Sequence, residues 1–229
     1  MEHWVYTFIL FGNSYMVNLD TLITMWATML FLIVAALITT RNLSMIPGRL
    51  QYIGESVIKY FNDIAKTSMG NDNAQKHIAI ILTLFMFILT ANLCGQLPLK
   101  LIHLHSGELA SPNNDINMTA AMAIVVSVYY VFLGIKRQGF KFFFKGFSIA
   151  NIITTFVELL ELVIRPFSLA LRLFANIFAG ELLVATFLGL CSLVLPLPFM
   201  LFELFVAFIQ AIVFTLLSTT YISMVVQEE

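Results

Sequence analysis

The chain has 229 residues, of which 60% are hydrophobic and 11% charged, with a formal net charge of −1. Together with a mean hydropathy of +0.92, this excludes a water-soluble globular domain, which carries about 25% charged residues, and places the chain in a bilayer. The net charge itself decides little, because what matters in a membrane protein is where the 12 Lys and Arg fall along the chain.

The opening stretch "MEHWVYTFIL" is acidic and lacks both a basic n-region and a small-residue cleavage site. The first apolar segment is therefore expected to stay in the mature protein. Residues 19–40, "LDTLITMWATMLFLIVAALITT", are long enough to cross the ~30 Å hydrocarbon core once. Residues 49–70 mix charge with Leu50, Ile53, Val57, Tyr60, Phe61 and Ile64 at helical spacing, the pattern of an amphipathic helix lying at the interface. Further spans fall at 77–97 and 119–135. After "IKRQGFKFFFKGF" come two long apolar segments, 148–190 and 197–226, separated by the breakers in "GLCSLVLPLP". About 40 residues in one helix extend ~60 Å, twice the core, so 148–190 must be strongly tilted, kinked at Pro166 or partly interfacial.

The expected fold class is an all-α polytopic membrane protein, one membrane domain over residues 1–229 with five transmembrane helices and one interfacial amphipathic helix. Basic residues orient it. None precedes the first span; Arg41, Arg49, Lys59, Lys66 and Lys76 follow it; the next connection has only Lys100; and Lys136, Arg137, Lys141 and Lys145 follow the third span. By the positive-inside rule the N-terminus is outside, and the basic connections and the C-terminal "QEE" are cytoplasmic.

Ionisable groups inside spans are costly and by default mark function. Glu161 and Arg165 stand four apart with the acid first, the favourable order for an ion pair within a helix, and Glu158 lies on the same side. A structural ion pair near the cytoplasmic side explains these three at least as well as a transport role. Arg172 differs: Ser168, Leu169, Ala175 and Asn176 occupy the positions three and four residues away, so no carboxylate on its own helix neutralises it. Arginine keeps its proton, so another helix, another chain or a water-filled cavity must meet the charge. Ser168, Ala175 and Ala179 lie within about 60° of Arg172 on the helical wheel, forming a strip of small side chains that lets another helix approach closely. Glu181, nine residues on, points to the opposite side.

In the last segment, Glu203 and Gln210 are seven apart on one helical face. If 148–190 and 197–226 form an antiparallel hairpin, Glu181 with Glu203 centres on 192 and Arg172 with Gln210 on 191, so one register brings both pairs level. Two close carboxylates in a low dielectric cannot both ionise easily, which suits such a pair to taking up and passing protons. Cys94 and Cys191 suit neither a disulfide framework nor a metal site and read as small core residues. His103 and His105 offer too few ligands for a metal, and with His77 they read as interface or loop residues.

The stretches "RPFSLALRLFANIFAGEL" and "FIQAIVFTLLSTTYISM" closely resemble the two signature helices of subunit a of F-type ATP synthases, and "NDINMT" (114–119) resembles its third motif. The resemblance runs from about residue 15 to the end. It implies a stator that clasps the rotating ring of c subunits through two long tilted helices packed as an antiparallel hairpin, with two offset aqueous half-channels. By position it makes Arg172 the arginine facing the ring carboxylate, and Asn176, Glu181, Glu203 and Gln210 the polar positions of the outer half-channel. Glu158, Glu161 and Arg165 have weaker analogues on the inner path. Implied partners are the c-subunit ring, the peripheral-stalk b subunits, other ATP synthase subunits and the lipid bilayer, with no cofactor, metal or nucleic acid. Many members carry glycine where this chain has Ala175, and members differ in acid or histidine at the positions of Glu181 and Glu203. "DIAKT", "GELASPNNDIN" and "LVLPLPFM" look like the cyanobacterial and chloroplast branch, which leaves the bacterial plasma membrane and the thylakoid as locations.

In that scheme ATP forms on other subunits, and no "GxxxxGK[ST]" phosphate loop appears in this chain. A cation- or proton-coupled secondary transporter is the alternative, but it usually shows internal repeats, and none is found here. An intramembrane hydrolase would need a nucleophile beside a base or a metal; neither Ser168 nor the scattered histidines have that spacing.

Overall fold

Away from water only a helix satisfies every backbone N–H and C=O within one segment, so the apolar stretches fold as helices. In the computed structural model, which describes residues 5–10, 13–41, 43–96, 112–139, 149–190 and 196–227, these are α1 (Leu19–Thr40), α2 (Arg49–Met69), α3 (Asn71–Gln96), α4 (Ile116–Gln138), α5 (Ile149–Leu190) and α6 (Pro196–Gln227). All but α2 are long and apolar enough to cross a membrane. The fold is that of an all-α polytopic membrane protein. To it the structure adds a short antiparallel hairpin of β1 (Val5–Leu10) and β2 (Asn13–Asn18), whose register pairs Val5 with Asn18. Helices α3 and α4 exceed the stretches 77–97 and 119–135 because their extra turns, "NDNAQK" and "KRQ", are polar and escape a hydropathy reading.

Between α2 and α3 the chain turns at Gly70, whose φ of +79° is a left-handed conformation that a side chain would strain. Phe61, Ala65 and Met69 of α2 then face inward, while Leu50, Tyr52, Ile53 and Tyr60 stay exposed. Helices α3, α4, α5 and α6 enclose the core, with Ile81, Phe85 and Ile88 meeting Val126, Leu173 and Phe214 in one cluster. Ser223 Oγ and Gln227 Nε2 of α6 donate to the Ser68 carbonyl at the end of α2. Arg137, at the end of α4, donates to the Val226 carbonyl and, at 2.7 Å, to Asn73 Oδ1. The basic side of the bundle is thus tied together by hydrogen bonds.

The outer surface inverts the pattern of a soluble protein. On α1 the buried residues are Asp20, Thr21, Thr24 and Thr28, whereas Trp26, Leu30, Phe31 and Leu37 are exposed. Thr24 and Thr28 return their hydroxyls to carbonyls four residues back, which satisfies them without water. Apolar surface on this scale is stable only against lipid or a partner. Helix α5, 42 residues long, extends ~63 Å and runs unbroken through Pro166, so its length is accommodated by tilt or by projection beyond the core.

Candidate functional site

Helices α5 and α6 pack as an antiparallel hairpin whose register is set by three contacts. The rings of Phe187 and Phe199 stack at 4.3 Å, the Arg165 guanidinium lies 4.9 Å from the centre of the Tyr221 ring, and Glu203 fits against Gly180. A Cβ at residue 180 would stand 2.6 Å from Cδ and 2.9 Å from Cγ of Glu203, so the absent side chain is what admits this carboxyl group. These pairs centre between 191 and 193, within two residues of the register expected from the spacing of the charges.

The inward face of α5 carries Leu169, Leu173, Ile177 and Glu181, all buried. Asn114, in a 3-10 turn over Pro112–Asn114, donates from Nδ2 to Glu181 Oε2 at 2.9 Å. The neighbouring Asn113 donates to Asn92 Oδ1 at 2.7 Å, and Asn92 in turn donates to the Ala207 carbonyl of α6 at 3.1 Å. Asp115 caps α4 by accepting from the Asn117 N–H at 2.9 Å and also accepts from Asn18 Nδ2 at 2.7 Å. Glu203 is half-buried on the α6 side of the same crossing. The arrangement places both carboxyl groups at the level of the Gly180 crossing.

The outward face is different. Ser168, Arg172, Ala175 and Ala179 are exposed, which makes the strip of small side chains a free surface of this chain. Among the described residues Arg172 has no hydrogen-bond or ion-pair partner. Asn176 is half-buried beside it. Gln210 is buried, and among the described residues its Nε2 has no hydrogen-bond partner. Arg172 and Gln210 therefore stand near one level in the hairpin, the first exposed and the second buried, and no hydrogen bond joins them.

Toward the basic end of α5, Arg165 forms an ion pair with Glu161, with their side chains 21% and 44% exposed, and Glu158 is half-buried. His77 is neither a loop residue nor at the surface: it sits in α3, buried, with Nδ1 2.7 Å from the Tyr129 hydroxyl. His103, His105 and Cys191 lie outside the described residues, and Cys94 is a half-buried free thiol. Among the described residues no group of three metal-ligating side chains comes together. Asn92 and Asn113 went unnoticed in the sequence, although an amide in the apolar run "LTANLCG" is itself a signal, since a polar group inside a span needs a partner.

Five apolar spans around buried carboxyl and amide groups define a polytopic membrane protein with ionisable groups inside its bundle, the kind of interior that serves ion movement. Over residues 22–223 the chain matches the family model described as ATP synthase A chain. It is 40% identical over 209 residues to the ATP synthase subunit a of the cyanobacterium Gloeobacter violaceus, covering 91% of this chain and 84% of that protein. The chain belongs to the ATP synthase A chain family. It is a multi-pass membrane component of a proton-translocating ATP synthase and associates with other subunits of that complex.

Proposed function

We propose that this chain conducts protons through two offset half-channels at its contact with a rotating ring of c subunits, coupling the gradient to rotary ATP synthesis while catalysis proceeds on other subunits. The observation that carries this reading is Arg172, exposed on the small-residue strip of α5 and unpartnered among the described residues. An arginine facing lipid is costly, so a surface of this kind calls for an acidic partner from another chain. A protonated ring carboxyl passes through lipid cheaply, whereas an ionised one is held opposite Arg172. The fixed positive charge also keeps protons from crossing directly between the half-channels.

Glu181 and Glu203 line the outer half-channel in this scheme, with Asn176 and Gln210 deeper along it. Glu158, Glu161 and Arg165 stand at the inner side as a path or as structural ion pairs. The whole chain acts as one membrane domain, with α2 at the interface and peripheral-stalk b subunits as neighbours. The location that fits is a bacterial plasma membrane, with the thylakoid as the alternative. The outer side is the one bearing Asn117, by the positive-inside rule. A cysteine at Asn117 is expected to react with an impermeant thiol reagent from the outside; reaction from the cytoplasm alone reverses the topology.

Coupled ATP synthesis and proton pumping in membranes containing the assembled complex test the central claim. Arg172→Ala should abolish both and open a passive leak. Near-normal coupled activity would mean that this arginine only anchors its helix.

A further inference from the structure

Helices α5 and α6 approach each other closely at Gly180, but a second, indirect connection joins them at the same level. From α6 it runs through the Ala207 carbonyl to Asn92 of α3, from Asn92 Oδ1 to Asn113 of the 3-10 turn, and from the adjacent Asn114 to Glu181 of α5. Asn92 and Asn113 are fully buried, at 0% exposure, and Asn114 at 9%. Ala207 lies between Glu203 and Gln210, so the carbonyl that holds Asn92 is one helical turn from each of these polar groups.

We infer that Asn92, Asn113 and Asn114 form a bracket that positions the Glu181 carboxyl group relative to α6, and that Asn114 is a positioning residue for proton transfer. This rests on the proposed role of Glu181 in the outer half-channel. A buried carboxylate needs donors to replace water, and a donor held by its own hydrogen-bonded support fixes which oxygen is engaged. Asn114 engages Oε2, and the support beneath it runs through two further amides to the α6 backbone. Loss of Asn114 removes the donor that engages Oε2, whereas loss of Asn92 removes the support under the turn. Among the described residues Asn113 Oδ1 and Gln210 Nε2 are buried without hydrogen bonds, so an acceptor in the bracket and a donor one helical turn from Ala207 remain for water. The bracket therefore borders the path without closing it.

The test uses membranes with the assembled complex, its content measured by recovery of the other subunits. Asn114→Ala should lower proton flow about ten-fold, the ratio expected when a hydrogen bond to a charged group is lost, and should move the pH of half-maximal flow. In a Glu181→Asp background, where the shorter side chain no longer reaches Asn114, the same change should cost less than about two-fold, because two residues acting through one contact do not add. If Asn114→Ala fails to assemble, Asn114→Ser keeps the turn polar while falling short of Oε2, and the same results are expected. Undiminished flow with an unchanged pH profile overturns the bracket, as does an equal ten-fold loss in the Glu181→Asp background. If Glu181→Gln leaves flow intact, it is the half-channel assignment of Glu181 that fails.

Discussion

The two faces of α5 treat charge in opposite ways. Inward, Glu181 is buried and receives a hydrogen bond from an asparagine that is supported through two other amides. Outward, Arg172 is exposed among Ser168, Ala175 and Ala179 and has no partner among the described residues. One charge has its polar surroundings built into this chain; the other has only a landing strip. An unpaired arginine at the centre of a bilayer costs about 2.5–3.5 kcal/mol on insertion scales. A side chain kept in that state is complete only in an assembly. On the proposed reading, the carboxyl side is a site of this subunit, and the arginine side is half of a site shared with another.

If the comparison holds, changes on the outward face should be the more damaging, because no neighbour among the described residues substitutes for the lost charge. Arg172→Lys should leave coupled synthesis far below the parent, a small step from the loss expected of Arg172→Ala. An ammonium is a compact, strongly hydrated charge that gives up its proton when desolvated, whereas guanidinium keeps its charge and presents a planar fork to a carboxylate. Full coupling with lysine would show that any positive charge suffices and that the strip does not exclude water.

A change at the crossing should come next. Gly180→Leu puts atoms where the Glu203 carboxyl group lies, since a Cβ alone would already stand 2.6 Å from its carboxyl carbon. The end of the Glu203 side chain is flexible, so its carboxyl group is expected to be pushed from this crossing. Proton flow is expected to fall with the complex assembled, by less than with Arg172→Lys. Unimpaired flow would show that Glu203 can leave this crossing without consequence.

Much of this contrast was legible in the sequence, and the reasons are specific. The opposition of Arg172 and Glu181 follows from nine residues at 100° each, and the hairpin register from the spacing of four polar residues in two apolar segments. Both are local periodicities. The Asn92 to Asn113 contact joins residues 21 apart and the Asn114 to Glu181 contact residues 67 apart, across a connection with no period at all. The fit of Glu203 against Gly180 depends on how closely two backbones approach, which small residues permit but do not dictate. For the same reason the register set Arg172 and Gln210 near one level but did not show that one is exposed and the other buried: a register fixes height, whereas packing fixes rotation.

The smallest effect is expected where the charge is already satisfied and partly in contact with the surroundings. Glu161 is 44% exposed and pairs with Arg165 four residues on, while Arg165 also lies over the Tyr221 ring at 4.9 Å. An exposed pair of this spacing is worth about 0.3–0.5 kcal/mol, and the cation–ring contact, of similar or greater strength, survives when the acid is removed. Glu161→Gln should therefore change proton flow less than about two-fold, since 1.4 kcal/mol would be needed for a factor of ten. Added salt should shrink even that difference, because screening acts on exposed charges. A ten-fold loss in an assembled complex, insensitive to salt, would remove Glu161 from the structural pairs and place it on the route by which protons leave the ring. The inner side of α5 would then resemble its Glu181 face, with a carboxyl group that acts on the ion and does more than hold an arginine.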